Sequence, residues 1–145
     1  MSKPCEIVVV SSDLESRQRV AGALSRLGVN PICVSTIDQC RHIPKREKVG
    51  IVFCDKNVEG GDYQDVMAAV SSELADARPK IVMMSRFRMD PSEYRQAKRS
   101  GVFDIIESPC RPTDIEWMLI SAMRARQNES KGLVASPRSF SPFGR

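Results

Sequence analysis

Few side chains in this 145-residue chain are set where they could do chemistry, and the clearest is Asp55. It ends the run Ile51-Val52-Phe53-Cys54, four apolar residues flanked by glycine and charge, which reads as a short strand buried on both faces. An acid closing such a strand is delivered to the crevice at the carboxyl edge of a parallel sheet, where open α/β folds place their ligands. Lys80–Ser85 repeats the pattern with a hydroxyl as its last residue. The five cysteines, Cys5, Cys33, Cys40, Cys54 and Cys110, are odd in number and lack Cys-x-x-Cys spacing, which disfavours a disulfide framework and a zinc site alike. Reduced and mostly buried thiols are expected.

Cys54 and Cys110 flank the crevice in sequence and would be the nucleophiles if the chain were a small redox or nucleotide-binding enzyme. The sole histidine, His42, is far from both in sequence, and no Gly-x-Gly-x-x-Gly or Walker pattern occurs. An enzyme is therefore not the expectation.

Composition sets wider bounds. A hydrophobic content of 41% in a chain of this length supports one domain with a real core. The net charge is +4, and residues 127–145, with Lys131, Arg138 and Arg145 against Glu129, account for +2 of it. The remainder is too small to argue for nucleic acid. No apolar run is long enough to span a membrane, and the N-terminus lacks the apolar stretch of a signal peptide, so a cytosolic protein without membrane contact is expected.

The elements that must position Asp55 follow from periodicity. Glu6–Val10 reads as a first strand, stopped by Ser11-Ser12-Asp13. Ser12 and Glu15 have capping-box spacing ahead of Val20, Leu24 and Leu27, with Gly28 as a left-handed stop. A second strand over 30–34 leads to a helix opened by Ser35 or Thr36 and broken by Pro44. After Gly60-Gly61, the stripe Val66, Met67, Val70, Leu74 predicts a third helix ending before Pro79. Asp90-Pro91-Ser92-Glu93 supplies an N-cap, a first-turn proline and an N3 glutamate for a fourth helix closed by Gly101, whose interior is poor in apolar residues. Val102–Ile106 gives a fifth strand, and Pro112-Thr113-Asp114 opens a last helix carrying Ile115, Met118, Leu119 and Met123.

Strands and helices thus alternate five times, which predicts an α/β fold with a parallel sheet covered on both faces and right-handed crossovers. The globular domain is expected over residues 1–126. Residues 127–145, rich in Ser, Gly, Pro and Arg, are expected to form a disordered tail.

Over about residues 5–126 the chain resembles the receiver domain of two-component response regulators, a CheY-like domain of the flavodoxin-like (βα)5 type with a parallel sheet of order 2-1-3-4-5. The resemblance makes Asp55 the phosphoacceptor. The loop Asn57, Gly61, Asp62 is similar to the family's loop after that acid, with Glu59 where proline is usual and Tyr63 where the last glycine is. Ser85 falls at the hydroxyl that contacts the incoming phosphoryl group, with Asn57 and Arg86 beside it. Pro109 falls at the proline that the family precedes with a cis bond.

The departures bear on function. The two adjacent acids that help to hold Mg²⁺ in the family are Ser11 and Ser12 here, the lysine before the proline is Ser108, and the aromatic on the fifth strand is Ile105. Mg²⁺ prefers charged oxygens in octahedral geometry, so two hydroxyls and one carboxylate should bind it weakly. Asp13 is expected to serve the helix start. No resident cofactor is expected. Phosphoryl transfer depends on charge stabilisation by metal and cation, and Asp55 would lack both, save for Arg86 or, more weakly, Lys56.

Two signalling roles follow. In the first, a single-domain, atypical receiver acts by binding a protein, a histidine kinase or a downstream signalling protein, through the region of Tyr94, Phe103, Trp117 and Met118, with Tyr94 and Phe103 also suited to the core. In the second, Asp55 is a conventional acceptor phosphorylated by a histidine kinase.

Overall fold

A computed structural model describes residues 5–75, 77–86 and 88–130. Its elements are β1 (Glu6–Val10), α1 (Leu14–Arg26), β2 (Ile32–Val34), α2 (Ile37–Arg41), a 3-10 turn at Arg46–Lys48, β3 (Val49–Asp55), β4 (Asn57–Val58), β5 (Gly61–Asp62), α3 (Tyr63–Val70), β6 (Lys80–Ser85), α4 (Pro91–Ser100), β7 (Asp104–Glu107) and α5 (Pro112–Ser130). The five long strands form one parallel sheet in the order β2-β1-β3-β6-β7. With the tiny hairpin β4–β5 set aside, this is the flavodoxin-like order 2-1-3-4-5.

Alternation along the strands divides the core in two. Val9, Phe53, Val82 and Met84 face α1 and α5, where they meet Leu24, Ile115 and Met118. Val8, Val52, Ile81 and Met83 face the other way, onto Ile37, Val66, Val70 and Ala97 of α2, α3 and α4. A strand buried on both sides cannot show polar alternation, which is why β3 reads as a continuous apolar run.

Several boundaries differ from expectation for identifiable reasons. β3 begins at Val49, which pairs with Glu6; Gly50 is skipped where the register shifts to Ile7–Ile51, and a Cβ on it would lie 2.5 Å from Cys5 Sγ and 2.8 Å from Arg126 Cζ. Only glycine lets the start of β1 and the end of α5 close over this edge of the sheet. α3 stops at Val70: Ser71 adopts an extended backbone and its Oγ donates to Met67 O at 2.7 Å, so Leu74 leaves the stripe and is 81% exposed. The last strand starts late because the Val102 N–H donates back to Ala97 O across the left-handed Gly101 and closes α4. β2 is confined to Ile32–Val34.

The hairpin β4–β5 was not foreseen. It turns at Gly60, whose φ of +100° suits a residue without a Cβ, and it pairs Asn57 with Asp62 and Val58 with Gly61. At the far end, α5 continues beyond Arg126 to Ser130, so the tail expected from residue 127 begins as helix. Glu129 makes an ion pair with Lys80 at the start of β6. The remainder of that expected tail, 131–145, lies outside the described residues.

Candidate functional site

Asp55 closes β3 at the carboxyl edge of the sheet, half-buried, between the ends of β1 and β6. Ser11, the residue after β1, is fully buried, and its Oγ donates to Asp55 Oδ2 at 2.6 Å. The same Oγ accepts from Asp13 N at 3.1 Å, while Arg17 donates to Ser11 O at 2.8 Å. Ser11 is thereby held from three directions, with its hydroxyl proton aimed at the carboxylate.

Ser12 does a different job. Its Oγ donates to Ser35 O at 2.7 Å and accepts from Glu59 N at 2.8 Å, tying the β1, β2 and β4 loops together. That corrects the expectation that Ser12 caps α1. The cap is Asp13, whose Oδ2 accepts from Ser16 N at 2.9 Å and also faces Arg86 at 3.3 Å. Asp13 thus meets both the α1 amides and a guanidinium, as an acid at a helix start should.

A cleft of about 610 Å³ opens over Asp55. Ser12, Asp13, Lys56, Asn57, Ser85 and Arg86 are on its walls. Ser85 is buried at the end of β6, and its carbonyl accepts from Ser108 N at 2.8 Å. Asn57 is exposed on β4. The structure therefore brings Asp55, Asn57, Ser85 and Arg86 to one opening. Ser108 lines a neighbouring hollow with Glu15, Arg19 and Pro109, and the Ser108–Pro109 bond is cis.

Burial pushes the Asp55 carboxyl above the ordinary aspartate range; the Ser11 hydrogen bond and the Arg86 charge oppose this, and Asp13 adds to it. The folded state then holds the Asp55 proton to higher pH than the unfolded chain does. Between the two pKa values the native state binds more protons, so this contribution to stability is present below the unfolded value, about 3.9, and is lost as pH rises through the folded one. Asp55→Asn removes the penalty and still offers Ser11 an acceptor. The variant is expected to melt higher than the parent at neutral pH, with the gap narrowing on acidification toward pH ~4; differential scanning fluorimetry across that range checks it, and equal melting throughout would refute it.

The cysteines flanking the crevice are both buried, and burial raises both thiols, Cys110 to about 12. Neutral thiols are poor nucleophiles. His42 is exposed beside Asp38 at the end of α2. Among the described residues no three His, Cys, Asp or Glu side chains converge as a metal-holding group.

Of the four residues expected at a partner surface, Met118 is buried, and Phe103 is half-buried, packed against the same cluster as Met118. Tyr94 on α4 is 42% exposed and Trp117 on α5 is 59% exposed. The core role considered for Tyr94 gives way to a surface one, because Ala97 is the only buried residue of α4. The bridging role of Ser12 and the Asp13–Arg86 pair carried no signal in the sequence, since both join segments distant along the chain.

No protein-family model matches the chain, and no curated protein does. Solved structures match it in fold. The Vibrio cholerae chemotaxis protein CheY4 superposes with a TM-score of 0.72 at 15% identity, over 83% of this chain and 99% of that one. A CheY-like response regulator receiver domain from Methylobacillus flagellatus gives 0.68 at 16%, over 83% and 99%. NtrX from Brucella abortus, in complex with ATP, gives 0.76 at 21%, over 89% of this chain and 29% of that one. At such identities the likeness is one of fold.

Proposed function

We propose that the chain is a receiver-like signalling module of the two-component type in which the cleft over Asp55 works as a protein-docking and sensing surface, with weak or no Mg²⁺-dependent phosphorylation. The observation that carries this reading is the 2.6 Å hydrogen bond from Ser11 to Asp55, together with the commitment of Ser12 to two backbone groups. A receiver fold implies Mg²⁺ beside the acid that closes the middle strand. The donors here do not fit it: Ser11 is buried and donates its hydroxyl to the carboxylate, Ser12 is bridged, and Asp13 faces a guanidinium and a helix amide. A cation that sheds water reluctantly gains little from one partly buried carboxylate.

The partner is a protein, and Tyr94 and Trp117 offer it aromatic surface on α4 and α5. A conventional acceptor remains the competing reading because Asp55 shares an open cleft with Ser85 and Arg86. Incubation with acetyl phosphate and Mg²⁺, followed by intact-mass measurement, separates the two. The expected result is no acid-labile phosphoryl adduct. Rapid adduct formation in the parent, abolished by Asp55→Asn, would establish the conventional chemistry instead.

A further inference from the structure

Helix α4 is attached mainly by polar contacts. Ala97 is its only buried side chain, and its C-terminal part is tied by Lys98 Nζ donating to Phe103 O at 2.6 Å and by Gln64 Nε2 donating to Ser100 Oγ at 2.9 Å. Its N-terminal turn has two, from Lys56 Nζ to Glu93 Oε2 at 3.1 Å and between the Tyr94 hydroxyl and the Asp104 side chain on β7, and only the first reaches the cleft. Glu93 is also the reciprocal half of the α4 cap: its Oε1 accepts from Asp90 N at 3.2 Å, while Asp90 Oδ1 accepts from Glu93 N at 2.9 Å. One carboxylate therefore joins the helix cap to the residue that follows Asp55.

The backbone of Lys56 is fixed. Its N–H donates to Met84 O at 3.0 Å, and its carbonyl accepts from Tyr63 N at 2.9 Å. Only the side chain is free to choose partners, and both Lys56 and Glu93 stand on the wall of the Asp55 cleft. Each is more than a third exposed, so the pair is held weakly enough to be exchanged.

We propose that Lys56 couples the occupancy of the cleft to α4: an anionic group lodged beside Asp55 competes with Glu93 for the ammonium, and its success leaves the first turn of α4 held by the Tyr94–Asp104 contact alone. Tyr94, which lies in that turn, is then presented differently to a partner. This rests on the cleft being the signalling pocket, but its test needs no phosphoryl donor, so failure of either claim is separately visible.

The test is amide hydrogen exchange on the full chain for the parent, Lys56→Met, Glu93→Gln and the double variant. Glutamine keeps the capping pattern while removing the charge. Each single change should speed exchange in the first turns of α4 by about two- to fivefold at low salt, and the double variant should add nothing further. By reciprocity, Glu93→Gln should also speed exchange of the Tyr63 amide. Inorganic phosphate, compared with chloride at equal ionic strength, should loosen α4 in the parent and not in Lys56→Met. Unchanged α4 exchange in Lys56→Met, additive single effects, an unaffected Tyr63 amide or no phosphate response would each overturn the coupling.

Discussion

Ser11→Asp is expected to destabilise the protein by roughly 3 kcal/mol or more at neutral pH, the range seen when a buried charge lacks compensation. Ser11 has no exposed surface, and its Oγ touches Asp55 at hydrogen-bond distance, so a carboxylate there sets two like charges side by side. They cannot both ionise cheaply, and one must hold a proton well above the ordinary range. Two oxygens carrying charge are also what a divalent cation lacks in the parent. Mg²⁺ should restore stability in the variant, by about 2.7 kcal/mol once it exceeds its dissociation constant a hundredfold, while the parent responds little. Urea unfolding followed by circular dichroism, with and without Mg²⁺, measures both effects. If the variant barely folds without metal, recovery of helical signal on adding it reports the same linkage. A variant as stable as the parent and indifferent to Mg²⁺ would refute the account of the pocket given above.

Phe53→Ala should cost about 3–5 kcal/mol, a large part of the total stability of a domain this size. Phe53 is fully buried in the middle strand, beside Val9 on β1 and Val82 on β6, and it fills the layer beneath α1 and α5. Neighbours fixed in a sheet cannot collapse into the space a ring leaves. The urea midpoint should fall with the slope of the transition unchanged. Trp117→Ala, at an exposed site, should stay within about 0.5 kcal/mol of the parent and serves as the control. A loss below 1 kcal/mol at Phe53 would mean that the layer is looser than its burial indicates.

Much of this architecture was legible in the residues. A β-branched run ending in an acid placed Asp55 at the sheet edge, since a strand covered on both faces leaves an unbroken apolar signature. Asp90, Pro91, Glu93 and Gly101 bounded α4 because capping chemistry is local and each residue meets its partner within one turn. Local chemistry also misled. Ser12 has the spacing of a cap, yet its hydroxyl is engaged by Ser35 and Glu59, whose proximity depends on the finished fold. Periodicity carried α3 on to Leu74, although Ser71 turns the chain first. A hairpin with two residues per strand has no period to detect. Met118 and Trp117 are adjacent and similarly apolar, and only the rotation of α5 on the sheet puts one inside and the other out.

The closure at Gly50 has a practical consequence for anyone handling the protein. Cys5 and Arg126 meet there, and Glu129 reaches Lys80, so both ends of the described chain emerge at the edge of the sheet where β3 starts. Asp55 lies at the opposite end of that seven-residue strand, on the order of 20 Å away. A dye placed on a surface side chain beside Glu6 or Arg126, within the described residues, should leave the mouth over Asp55 clear, so that the binding of candidate partners there can be followed without obstruction.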